Sequence, residues 1–151
     1  MGTPARTSIL NSVSTTLASV TTGNGYNTTV VTVGKEAKTW AEVPPALKPW
    51  VGYIPLAETL QYLPGDQIRV LLPIDLICHV VGQTQTDRAT KLSNLLDDII
   101  AVLNVDTTRG SKAISTTVVS AETDEGAPGA LGEGSMVLRV NVAYMRTSGQ
   151  S

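Results

Sequence analysis

Phenylalanine is absent from this chain, cysteine and histidine occur once each, and the aromatics are limited to two Trp and four Tyr among 151 residues. With so few rings, the core must be built from Val, Leu and Ile, which favours a sheet with packed helices. The lone Cys78 excludes an internal disulfide and a cysteine-built metal site, and fits a reducing compartment. Charged residues make up only 16% and the net charge is −2, so there is no basic field to grip a phosphate backbone. Tight DNA binding is therefore not expected. No run approaches about 18 apolar residues, and Arg6 is followed by no unbroken apolar stretch of the signal-peptide kind, so neither secretion nor membrane insertion is expected. The length fits one domain, 1–151, able to bury a core unaided.

What is present falls into elements. Ile9, Leu10, Val13, Leu17 and Val20 recur at helical spacing, predicting a helix over residues 5–20 that needs tertiary support because Ser and Thr fill its other faces. Gly23-Asn24-Gly25 reverses the chain, and the β-branched run Thr28 to Val33 predicts a strand. From 34 to 49, Lys35, Glu36 and Lys38 give way to Pro44, Pro45 and Pro49, predicting an exposed stiff loop whose prolines are bracketed by Trp40 and Trp50; the two rings either fold back on the core, the reading preferred, or meet a partner. Trp50 to Pro55 predicts a short strand, and Ala57 to Leu63 is ambiguous. Ile68 to Val81 predicts one long strand, with an edge position, bulge or break at Pro73, which lacks a donor. Its even positions are all apolar. Its odd positions mix Arg69, Asp75 and His79 with Leu71, Pro73, Ile77 and Val81, so part of that face is expected to meet another element or subunit.

The stripe Leu92, Leu95, Leu96, Ile99, Ile100 and Leu103 predicts a helix over 86–103, capped by Thr86 or Asp87, with Lys91, Asn94 and Asp98 on the wet side. Ala113 to Ala121 and Met136 to Tyr144 predict two further strands, separated by an exposed acidic loop over 122–134. The order α-β-β-β-α-β-β, with hairpin-type links, predicts an α+β fold: an antiparallel or mixed sheet packed against two helices in one layer sandwich.

Catalytic chemistry has little to work with. His79 carries every imidazole-based option, yet Asp75 lies about 13 Å away along the strand and Cys78 points to the opposite face. The nucleophile elbow, the phosphate loop and the dinucleotide fingerprint are missing, and Gly132-Glu133-Gly134 lacks the rest of any such motif. Glu122, Asp124, Glu125 and Glu133 do not have calcium-loop spacing, so a solvated loop is expected, with no metal and no cofactor.

Residues 8–146 resemble the tail terminator proteins of long-tailed bacteriophages. The resemblance rests on the helix ending at Gly25-Tyr26, strand Val30 to Val33, the Trp40 and proline loop, the long strand to Val81, the helix Ala89 to Leu103 with Asp106-Thr107-Thr108-Arg109-Gly110, and the closing Val140-Asn141-Val142-Ala143-Tyr144. It implies a non-enzymatic virion protein, present in the host cytoplasm during assembly. Such a subunit forms a hexameric ring that caps the tail tube, joins it to the head-side connector and leaves a channel for DNA without specific binding. Six subunits at −2 total −12, so a neutral to acidic lumen is expected. For neighbouring subunits the expected contacts are Trp50, Tyr53, Ile54, Leu56, Leu60 and Tyr62. For the tube or connector they are Lys35, Lys38, Trp40, Glu122, Asp124, Glu125 and Glu133. Another neck or head-tail completion protein remains an alternative, and so does a small α+β enzyme or ligand-binding domain with a site near His79.

Overall fold

The computed structural model describes residues 5–34, 42–109, 113–124 and 133–147. Two helices, α1 (Ala5–Ala18) and α2 (Gln85–Val105), pack on one face of a six-stranded mixed sheet. The strands are β1 (Thr32–Gly34), β2 (Trp50–Pro55), β3 (Thr59–Tyr62), β4 (Gln67–Val81), β5 (Ser115–Asp124) and β6 (Glu133–Thr147). They lie in the order β1-β2-β4-β6-β5, with β3 paired to β4 beside β2. Only β1 and β2 run parallel; the other pairings are antiparallel. The α+β class expected from the sequence is the observed one, with a fourth strand before α2: the ambiguous 57–63 segment contains β3.

Strand β4 is the spine. All 15 of its residues pair with β6 in one register, Gln67 opposite Thr147 through Val81 opposite Glu133. Of the edge position, bulge or break expected at Pro73, the first is what is found, and only locally: the ladder to β6 runs through unbroken. In an antiparallel ladder the N–H and C=O of one residue point the same way, and Pro73 O accepts from Leu56 N at 2.8 Å. The proline's missing donor therefore faces the gap where β2 has ended at Pro55 and β3 has not begun. No ladder bond is lost. Among the described residues, the one register shift lies in β5, between Val118 and Ser120.

The even positions of β4, Ile68 to Val80, are all buried, and with Met136, Leu138, Val140, Val142 and Tyr144 of β6 they form the floor of the core. Ile9, Val13 and Leu17 of α1 and Leu92, Leu95, Ile99 and Leu103 of α2 form its roof. Each fully buried aliphatic side chain contributes about 1.5–3 kcal/mol. Strand β1 is shorter than the predicted 28–33, but Val30 is still buried and its N–H bonds to Val20 O at 2.8 Å.

Both ends of α2 are tied down. Thr84, not Thr86 or Asp87, is the N-cap, its hydroxyl accepting from Asp87 N at 3.0 Å. Arg88 is buried and donates to Gly82 O at 3.0 Å. A side chain at Gly134 would strike Val80 Cγ2 at 2.8 Å, so glycine there lets β6 begin against this corner. At the far end Arg109, in a left-handed conformation at φ 51°, donates to Leu103 O at 2.8 Å and to Asp106 O, satisfying carbonyls that a helix terminus leaves open.

Two expected loops need correction. Within 34–49, Gly34 belongs to β1, while Val43 and Lys48 are buried rather than exposed. Within 122–134, both ends are strand: β5 runs to Asp124 and β6 starts at Glu133. Residues 35–41 and 125–132 lie outside the described residues.

Candidate assembly surface

Alternation along the strands sends the odd residues of β4 and β6 to the sheet face opposite the helices. There Asp75 stands across from Arg139, Ile77 from Val137, Pro73 from Asn141 and Leu71 from Ala143. Asp75 Oδ1 accepts from Arg139 Nε at 2.5 Å, and the pairing holds the guanidinium above its ordinary pKa. From β2, Ile54 stands beside Asp75; from β5, Ser120 and Glu122 stand beside Arg139 and Val137. Among the described residues no helix covers this face, and Ile54, Leu71, Asp75 and Ile77 are only half-buried, with Val137 40% exposed. It is a broad, shallow surface with apolar residues around one ion pair.

One end of that face is closed. Trp50 and His79, paired across β2 and β4, stack with ring centroids 5.4 Å apart at 15°, and both are buried. A Cβ on Gly34 would lie 2.6 Å from the indole, so glycine in β1 is what admits the ring. His79 Nδ1 and Ser135 Oγ are 3.0 Å apart. Although serine and histidine are a nucleophile–base combination, Ser135 sits in β6 between ladders to β4 and β5, opposite His79 and Asp124. The neighbouring backbone N–H groups are committed to those ladders and do not converge on an oxyanion position. The contact satisfies a buried imidazole. Asp75 pairs with Arg139 instead of His79, and burial pushes the Cys78 thiol far up, leaving it inert on the core face.

The expected subunit contacts do not form one patch. Trp50 and Tyr53 are buried within their own chain at 3% and 4% exposure. Ile54 lies half-buried on the open face and Leu56 beside it at the end of β2. Leu60 and Tyr62, 45% and 73% exposed, sit across from Val70 and Ile68 and so belong to the helix side, on a hairpin that runs out past the core. The root of that hairpin is braced: Arg6 Nε meets Glu58 Oε1 at 2.6 Å, and Tyr144 donates its O–H to Glu58 Oε2 at 2.9 Å. Burial, then the bond and charge of Glu58, push the Tyr144 phenol up to about 12.

Of the expected tube or connector residues, Glu122 is exposed on β5, Asp124 ends β5, and Glu133 begins β6 opposite Val81. Lys35, Lys38, Trp40 and Glu125 lie outside the described residues. Among the described residues, no group of three or more His, Cys, Asp or Glu is placed to hold a metal ion, and no helix is long and apolar enough to cross a membrane.

Ser135 carries no motif in the sequence, and Asp98 does not lie on the wet side of α2 as its place in the polar stripe predicts. Asp98 is 3% exposed, and its Oδ1 accepts from Asn27 N at 3.1 Å and Asn27 Nδ2 at 3.3 Å. Asp97 is the exposed one of the two. The only available signal was the polar stripe Lys91, Asn94, Asp98 running beside the apolar one. Compared with known protein families and with curated proteins, the chain matches no family model and no curated sequence.

Proposed function

We propose that this chain is a structural subunit of a phage neck, acting as a tail terminator: copies of it form a ring that stops tail-tube growth and joins the tube to the head-side connector. The observation that carries the proposal is the open face of the sheet, where Ile54, Ile77 and Val137 surround the Asp75–Arg139 pair without a covering layer among the described residues. A ring subunit needs such a face for its neighbour, since head-to-tail contacts close a ring through two different surfaces of each copy. The protruding β3–β4 hairpin with Leu60 and Tyr62 supplies a second, distinct surface. The element order resembles that of tail terminators, and the sparse charge suits a channel through which DNA slides.

On this reading the protein is not an enzyme, its place is the virion tail, and its partners are further copies of itself, the tube protein and a connector protein. Adding the chain to polymerising tail tubes tests it. Tubes are expected to stop at their current length and carry the chain at one end only. Unrestrained growth, with the chain absent from tube ends, would overturn the proposal. In the same assay, deletion of residues 124–132 is expected to abolish capping while leaving a folded subunit; continued capping would remove the acidic segment from the contact.

A further inference from the structure

Two apolar surfaces that no other element covers among the described residues face in opposite directions on one sheet. Leu60 and Tyr62 stand opposite Val70 and Ile68, so they point to the helix side of the β3–β4 hairpin. Ile54, Ile77 and Val137 point to the other side, around the Asp75–Arg139 pair. We propose that these two surfaces meet each other between copies: the helix side of one copy's hairpin packs on the open face of the next. The proposal rests on the ring reading and deepens it, by naming which surface of a copy meets which surface of its neighbour.

Direction selects this pairing. A two-fold contact would bury open face on open face, or hairpin on hairpin, and either one leaves the other surface bare. When the hairpin of one copy lies on the open face of the next, both sheets keep the same orientation. Every copy then gives one surface and receives with the other, and contacts of that head-to-tail kind are the ones that close into a ring.

The chemistry of the two surfaces is compatible. Strand β3, TLQY, has no charged side chain, and the Asp75–Arg139 pair is neutral in sum, so the surfaces approach without like-charge repulsion. The Tyr62 ring supplies apolar area for Ile77 and Val137, while its O–H finds an acceptor in the Asp75 carboxylate. All four residues of β3 are exposed, so its side chains gain their burial from the neighbour. The hairpin is also presented in a fixed pose, because Glu58 at its root is held by Arg6 and by the Tyr144 hydroxyl. That bracing lowers the ordering cost of docking.

Disulfide trapping between copies tests the contact on the full chain in solution. The native Cys78 is buried, with its thiol pushed far up, and stays silent. Tyr62→Cys is mixed with Val137→Cys under mild oxidation, and Val105→Cys, 78% exposed at the end of α2 and on neither surface, sets the rate of random collision. Docking raises the local thiol concentration, so Tyr62→Cys is expected to link to Val137→Cys about tenfold faster than to Val105→Cys, and faster than either links to itself. Adding Ile77→Glu to the Val137→Cys chain is expected to return the rate to that of collision. The inference is overturned if the Val137→Cys and Val105→Cys rates are equal, if Val137→Cys or Tyr62→Cys links fastest to itself, or if Ile77→Glu leaves the rate unchanged. Because no tail tube takes part, the two readings fail separately. Selective linking by a chain that does not cap tubes keeps the contact and removes the terminator role; capping without selective linking keeps the role and removes the contact.

Discussion

The two faces of β4 are built from alternate residues of one strand, yet they differ in every physical respect. Its even positions from Ile68 to Val80 are sealed under α1 and α2. Among its odd positions, Arg69 is exposed, Leu71, Pro73, Asp75, Ile77 and Val81 are half-buried, and only His79 is buried. The first face spends its apolar area on the fold. The second leaves apolar area open around an ion pair.

Truncating the two faces sharpens that contrast most. Ile74→Ala, at a position with no exposure, is expected to cost about 2–5 kcal/mol in urea unfolding. Ile77→Ala, three residues on and across the sheet, is expected to cost about 1 kcal/mol or less. Equal losses would mean that the second face is core as well.

The even face was legible in the sequence because strict alternation over Ile68 to Val80 has only one reading. So was α2, whose apolar stripe is broad. Three features were not legible, each for a nonlocal reason. Pro73 reads equally as an edge position, a bulge or a break until its donor-free side is seen to meet the junction of β2 and β3. Asp98 reads as wet until Asn27, 71 residues earlier, is seen to lie on it. Strand β3 alternates over only four residues, all of them exposed, and it is the ladder to β4 that makes them a strand.

The next effect in size concerns that hidden contact. Asp98→Ala strands both N–H groups of Asn27, and a loss of about 1–3 kcal/mol is expected in urea unfolding. A neutral outcome would return Asp98 to the solvated face.

A smaller effect is confined to alkaline pH. Tyr144 keeps its proton in the folded chain up to about pH 12, while in the unfolded chain it ionises near 10. Its contribution is therefore complete below pH 10 and is lost as pH rises toward 12, because only the unfolded state releases the proton. Tyr144→Phe is expected to flatten the decline of the denaturation midpoint across that window; an unchanged slope would assign the decline to other groups. Smallest of all is Asp75→Asn on the open face. A solvent-facing pair contributes little to folding, and no measurable shift of the midpoint is expected. A clear loss would make the pair part of the fold instead of the open surface.

The most direct measurement of the central claim is the mass of this chain recovered from tail tubes after cross-linking, for the parent and for Ile77→Glu. Six copies of 15.9 kDa weigh about 95 kDa, and that species is expected for the parent. The variant, with a charge placed in the open face, is expected to remain folded and be recovered only as single chains. A parent recovered only as single chains, or a variant that forms the same 95 kDa species, would contradict the account.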